Sequence, residues 1–475
     1  MLGCWKSVSM GLAGLLGRVV VLVLAVVGTA IFSYYLHIPE RPPIFDNPGL
    51  SYSDIVYGLF NPIFRDMVGY GGVVRRESIE RLWFNSDMAV ELATGRRVCP
   101  LPYRDYRFEY PPLIGFLWMV SVCTSVYLVL PDSYTALEYF TLSKSMAEVH
   151  YGIHSAVLVA FLAILIVYMY RIAVLAELSW KRIVLFLLLP STVLYTIYNW
   201  DAIPAAFTIM AIYYMVTRRY SVSGFMLGLG ISAKLLPIAP ASVLVYDMVQ
   251  KYRKGLVSRR QLVNMVVGIA VAGLAPYLAI LAVSYNGFIY FVEHHAQWYC
   301  ENCIYSLITW DIWSPLNRVY ATVSTALSLL LLLAIDIDYT SHRQVIGVAA
   351  VSMIIVTALN YVFSPQMMLM ITPLAVLALE ARHLPLLVLA DTANFGIMAL
   401  FYKDAETRRW LANTLGIGID VKSSPWTPDS PVQIAAFTRN VVLLIVAVNV
   451  AYGIYRSRRG EGSSGGRSAE SSGIA

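Results

Sequence analysis

Tyr103-Arg104-Asp105-Tyr106-Arg107-Phe108-Glu109-Tyr110-Pro111-Pro112-Leu113 is a charged, aromatic run that ends in a double proline just before an apolar segment. It closes the polar stretch 38–111, which follows one apolar span and precedes a long succession of others. Apolar runs able to cross about 30 Å of hydrocarbon recur along the whole chain. Of 475 residues, 58% are hydrophobic and 13% charged. The chain therefore reads as an all-α polytopic membrane protein, a multi-span helical bundle with a large first loop outside the membrane and juxtamembrane helices within that loop.

The net charge of +6 is not the footprint of a nucleic-acid partner, because the basic residues are scattered through short loops, where they report topology. Lys6 and Arg18 precede the first span, which is long enough to be retained rather than cleaved as a signal peptide. They place the N-terminus in the cytoplasm. Arg171 to Arg182, Arg218-Arg219, Lys251 to Arg260, Arg343, Arg382 and Arg456-Arg458-Arg459 mark further cytoplasmic connections. The segments 38–111, 199–201, 285–315, 364–366 and 402–436 then share the outer side.

Two apolar runs do not fit this alternation. Residues 112–130 would invert everything after them if they crossed, so they read as a juxtamembrane or re-entrant helix. Residues 222–249 are basic at both ends, with Lys234 central and Pro237 and Pro240 beyond, and read as two half-spans meeting near the outer face. The organisation expected is a first helix (1–37), an outer catalytic loop (38–150), a membrane core (151–284), a second outer loop (285–317), C-terminal spans (318–455) and a disordered cytoplasmic tail (456–475).

Within 38–111 the stretch 75–95 reads as one amphipathic helix with Ile79, Leu82, Trp83 and Val90 on one side, lying along the membrane interface. That would hold Asp54 and the stretch from Asp105 to Glu109 over the mouth of the bundle. Each of these carboxylates is open to two readings. Asp54 is a turn or cap carboxylate, or a general base whose pKa burial raises. Asp105 and Glu109 are further acid–base candidates, or partners of Arg104 and Arg107.

Later outer ends repeat the pattern. Asn199-Trp200-Asp201 interrupts two uncharged apolar runs, and Asp201 is either an N-cap or a site residue. Lys234 stands alone in an uncharged stretch, where its charge needs an anionic phosphate or a salt bridge to Asp201. The loop 290–313 carries Glu293, His294, His295, Glu301 and the pair Cys300 and Cys303, which could be a disulfide, free thiols or part of a metal site. Ser364-Pro365-Gln366 opens another helix. No Walker lysine motif, no Gly-x-Gly-x-x-Gly and no His-Glu-x-x-His occurs, so an activated substrate would arrive by a route other than a soluble nucleotide module. No cofactor is expected and no metal ligand set is assigned; the need for a divalent cation stays open.

Tyr-Ser-Asp-Ile-Val-Tyr at 52–57, Pro-Tyr-Arg-Asp-Tyr-Arg-Phe-Glu-Tyr-Pro-Pro-Leu at 102–113, Asn-Trp-Asp at 199–201, Gly-Leu-Gly-Ile-Ser-Ala-Lys-Leu-Leu-Pro at 228–237 and Phe-Ser-Pro-Gln at 363–366 together resemble the GT-C glycosyltransferases. The likeness is to their family 87, the polyprenyl-phosphate-mannose-dependent mannosyltransferase-like group, and it runs from residue 20 to residue 380. The resemblance implies a GT-C type bundle in the plasma membrane with its active site facing outward. The donor would be a polyprenyl- or dolichyl-phosphate hexose, with mannose foremost, and the acceptor a lipid or glycan. By position it gives Asp54 the role of base and places Asp201 among the acidic site residues. Lys234 falls near the donor phosphate, with Arg104 and Arg107 as further phosphate candidates and Asn199, His294, His295 and Gln366 as substrate contacts. Many relatives have Gly-Gln or Gln-x-Asp where this chain has Asn199-Trp200-Asp201, and the Cys300 and Cys303 pair is not a family feature. A secondary transporter and a non-catalytic assembly subunit are the other classes in view. The first should show an inverted repeat of spans, which this chain lacks.

Overall fold

A computed structural model describes residues 2–465 apart from 336, 338–340, 417 and 419, with backbone alone for residues 2–15 and 458–465. Among the described residues the chain is helical except for one two-stranded ribbon, Val68–Gly69 paired with Val73–Val74. Among the described residues seven helices are long and apolar enough to cross a membrane. Shorter apolar helices, among them Ala202–Val216, Tyr220–Ala233, His342–Ala358 and Pro365–Ala378, fill the centre. This is an all-α polytopic membrane protein. The last helix continues to Gly465, and the rest of the tail expected to be disordered lies outside the described residues.

The helix Ala136–Leu175 organises the molecule. Thr135 and Glu138 start it with a reciprocal capping box. Its 40 residues reach about 60 Å, twice the thickness of a hydrocarbon core. The C-terminal half lies in the bundle beside Ala202–Val216, with Phe161 against Phe207 and Tyr168 against Tyr213. The first helix ends level with the middle of the long one, where Tyr151 donates to the Tyr34 carbonyl and the two rings stack. The turns of the long helix N-terminal to Tyr151 therefore overhang the bundle.

Pro112–Val129 packs on that overhang. Trp118 lies against His150 and His154, and the far end of the helix is tied to the loop where Arg97 donates to the Leu130 carbonyl. It is apolar and long enough to span, and it packs on the long helix and also on Tyr220–Ala233 and Ala275–Val283.

The stretch 220–253 is broken as its prolines require. Tyr220–Ala233 and Ile238–Arg253 are separate helices joined by an extended Lys234 and a turn through Pro237. Gly224 is needed for close packing, since a methyl group there would collide with the Met265 carbonyl.

Residues 75–95 differ from expectation. They form two helices, Arg76–Leu82 and Ser86–Thr94, because the Asn85 side chain caps the second by accepting from Met88 N at 3.1 Å. Ile79 and Trp83 are buried in the protein, not laid on lipid, and the Trp83 indole donates to the Ile63 carbonyl at 3.0 Å. A disulfide between Cys99 and Cys123, not anticipated from spacing, joins this region to Pro112–Val129, and Cys300 pairs with Cys303.

Candidate active site

Seven stretches of the chain, two of them in the overhang, line a cavity of about 600 Å³ together with Trp426. Residues 52–59, 109–111, 198–201, 233–236, 294–302, 360–367 and 397–402 all reach it. Stretches separated by hundreds of residues thus open on one face. At the opposite face Arg343 donates to the Ala176 carbonyl and Arg182 to the carbonyl of Val376.

Asp54 sits in the cavity wall at the start of the wide helix Asp54–Arg65. The Ser53 hydroxyl caps this helix by accepting from Val56 N, and the Asp54 backbone N–H donates to the Tyr198 carbonyl. Three donors converge on Oδ2: Asn199 Nδ2 at 2.7 Å, the Tyr110 hydroxyl at 3.1 Å and Gln366 Nε2 at 3.3 Å. Among the described residues no donor is recorded on Oδ1. Burial raises the Asp54 pKa to about 7; the bonds from Asn199 and Tyr110 oppose the shift, and the charges of Glu301 and Asp201 add to it. The carboxylate is thus oriented through one oxygen and near half-ionised at neutral pH.

Glu109 lies nearby. Burial raises its pKa to about 8, with Asp54 and Glu301 contributing. Its Oε2 is 3.3 Å from His294 Nε2, and burial, with the neighbouring His295, lowers that imidazole to about 4. The shifts agree that the proton between the two rests on the carboxyl. His295 Nδ1 is held by the Phe291 carbonyl at 2.8 Å.

Lys234 reaches the same cavity and pairs with Asp201, Nζ to Oδ1 at 2.5 Å, its side chain 17% exposed and that of Asp201 2%. Asp201 makes no capping bond to its own helix. Among the described residues its Oδ2 is buried without a hydrogen-bond partner.

Eight candidates from the sequence therefore meet in one cavity: Asp54, Glu109, Asn199, Asp201, Lys234, His294, His295 and Gln366. Arg104 and Asp105 do not reach it. They pair with each other, Asp105 also accepts from Leu101 N, and its carbonyl holds Phe84 N and Asn85 N. That pair fastens the loop. Arg107 lies in an adjoining cleft.

Sequence reasoning gave no role to Tyr110 or Glu301, although both lie in stretches it singled out. Tyr110 is flanked by Glu109 and the double proline, a setting that could have marked its hydroxyl. Glu301 owes its place to partners far away in sequence: its backbone pairs with residues 361–363 and its carboxylate accepts from the Trp298 indole at 2.9 Å. Arg439, wholly buried, fastens the same junction by donating to the carbonyls of Phe363 and Asn302.

No protein-family model matches the chain, and no curated protein matches it. Among solved structures, ArnT from Cupriavidus metallidurans bound to undecaprenyl phosphate is similar, at 15% identity and a TM-score of 0.42, over 94% of this chain and 79% of that one. So distant a likeness assigns no residue and no reaction. Fold and cavity define a polytopic membrane protein with a carboxylate-lined chamber at one face of its bundle.

Proposed function

We propose that the protein is a GT-C type glycosyltransferase that moves a hexose from a polyprenyl- or dolichyl-phosphate donor to a lipid or glycan acceptor on the extracytoplasmic face of the plasma membrane. Mannose is the first hexose to test. One observation carries the reading: an oriented carboxylate with a pKa near neutrality, Asp54, and a cation, Lys234, open on one cavity at the mouth of a membrane bundle.

In this reaction the acceptor hydroxyl gives its proton to Oδ1 of Asp54 as its oxygen attacks the anomeric carbon. The bond from that carbon to the phosphate oxygen breaks, and its electron pair leaves with the lipid phosphate. Configuration at the anomeric carbon inverts. Lys234, held at the wall by Asp201, meets the charge that develops on the leaving phosphate. Asn199, Tyr110 and Gln366 keep the base from turning away. Glu109, protonated below about pH 8, can donate a hydrogen bond to a sugar oxygen. No step requires a bound cofactor. Among the described residues no group of three His, Cys, Asp or Glu is placed to hold a metal ion, so a divalent cation enters the assay as a variable.

Sidedness is supported by the basic residues at the opposite ends of the helices and by two disulfides on the cavity side. Protein in liposomes, given labelled polyprenyl-phosphate-mannose and a membrane lipid extract with and without magnesium, should consume donor and label an acceptor. Absence of donor consumption with every hexose and acceptor tried would reject the enzyme. In a Cys4→Ser background, cysteines at Glu80 and Ser424 should react with an impermeant thiol reagent on intact cells, and those at Ser179 and Ser258 should not. The reverse pattern would reject the orientation.

A further inference from the structure

A second cleft of about 620 Å³ adjoins the cavity and shares His294, Trp298 and Tyr299 with it. Arg107 lies on its wall, with its guanidinium 5.8 Å from the Phe84 ring centre and 5.7 Å from that of Tyr290. Its Nε is buried without a hydrogen-bond partner. Among the described residues no carboxylate pairs with it, unlike its neighbour Arg104. Two rings thus flank a planar fork of donors for which, among the described residues, no side-chain hydrogen bond is formed.

Aromatic rings also link the cleft to the first cavity. Trp313 lies 5.1 Å from Tyr299, Tyr299 lies 5.0 Å from Trp426, and Trp426 lines the chamber that holds Asp54. Asn286 adds an amide to the wall. Flat apolar faces beside fixed donors and amides match a pyranose ring, whose C–H face stacks on an aromatic and whose rim of hydroxyls needs hydrogen bonds.

We infer that the second cleft binds a saccharide unit of the acceptor, so that the acceptor is an oligosaccharide chain whose terminal hydroxyl lies at Asp54 and whose next residue lies between Arg107 and Trp313. This rests on the transferase reading and narrows it from lipid or glycan to glycan. Arg107, a phosphate candidate by sequence, becomes an acceptor contact, and the donor phosphate is left to Lys234.

The test takes the full chain in lipid nanodiscs, titrated with manno-, gluco- and galacto-oligosaccharides and read by saturation-transfer NMR. At least one series should bind, more tightly as a disaccharide than as a monosaccharide. Trp313→Ala and Arg107→Ala should each weaken binding by about tenfold, the scale of one aromatic or guanidinium contact. Arg107→Lys should fall between wild type and Arg107→Ala, because it keeps the charge and loses the fork. Trp313, 61% exposed, can be removed without opening a core. In the transfer assay the same substitutions should raise the acceptor KM by a similar factor and leave the donor KM within about twofold. Failure of all three series to bind, or equal binding by wild type and both alanine variants, overturns the inference. Quenching of Trp313 by brominated lipid would also overturn it, by seating the ring in the bilayer interface. Retained oligosaccharide binding with no donor consumption would instead defeat the transferase reading and leave the cleft standing.

Discussion

The overhang and the bundle are packed from different residues. Beneath 54–150 the core is aromatic: Phe60, Phe64, Trp83, Tyr106, Phe108, Trp118 and Tyr139 are all buried. In the bundle it is largely aliphatic, with Ala349, Ala350, Met353, Ile354, Ile371 and Ala375 at its centre. The difference follows from the backbone. Helices satisfy their own N–H and carbonyl groups, so the bundle needs only shape and close approach. Over 54–111 the overhang is made of short helices and irregular turns whose carbonyls need external donors, and aromatic side chains bring donors together with apolar bulk. Trp83 serves Ile63, Tyr139 serves Phe64 at 3.0 Å and Tyr134 serves Leu92 at 2.7 Å. A loop built this way can hold Asp54 and Glu109 rigidly over the bundle without long helices of its own.

The largest effect expected is chemical and should leave both cores untouched. Asp54→Asn keeps the size and loses the basic oxygen, so turnover should drop by about 10² to 10⁴-fold while melting temperature and donor binding persist. Equal loss in Asp105→Asn would break the distinction drawn between a cavity carboxylate and a loop fastener.

Two core truncations come next and test the comparison directly. Trp118→Ala removes a fully buried ring from the overhang and Ile354→Ala a buried side chain from the bundle, at a cost of about 3–5 and 2–5 kcal/mol respectively. Hydrogen exchange should rise across 54–150 in the first and across the bundle helices in the second. Uniform loosening in both variants would mean the two cores unfold as one unit.

Lys234→Gln should weaken donor binding by about ten- to a hundredfold, the range of one charge-assisted phosphate contact, with acceptor affinity little changed. Unchanged donor affinity would return Lys234 to a structural pairing with Asp201.

The smallest effect is a pH slope confined to the cavity. Asp54 and Glu109 have folded pKa values raised to about 7 and about 8, so the folded chain binds more protons than the unfolded chain between their ordinary carboxyl range and those values. Their contribution to stability is present at low pH and is lost as pH rises through about 7 and 8. Because the two interact, they titrate as a pair. Glu109→Gln should match wild type in melting temperature near pH 4 and exceed it near pH 8.5. Activity runs the other way, since Asp54 must be ionised to act, and should fall as pH drops below about 7. A melting temperature for Glu109→Gln that stays below wild type at high pH would contradict the raised pKa.

Much of this arrangement is legible in the chain alone. Hydropathy marks the long apolar helices, and the prolines around Lys234 mark the break between Tyr220–Ala233 and Ile238–Arg253. Isolated ionisable residues in apolar surroundings are conspicuous because burying a charge is expensive, so Asp201 and Lys234 stand out without coordinates, whereas Asp54, in a polar loop, takes its role from the family resemblance. Arg104, Asp105 and Arg107 are equally charged and equally close to the double proline, and local pattern could not sort them from Glu109. Only tertiary structure decides that Asp105 turns back on Arg104, that Glu109 faces His294 and that Arg107 is held between Phe84 and Tyr290. The same holds for Cys99 with Cys123 and for Glu301, whose neighbours lie far off in sequence. Hydropathy and charge cost are properties of a residue and its immediate neighbours, whereas the direction of a side chain in an irregular loop is set by whichever distant donor or ring the fold brings beside it.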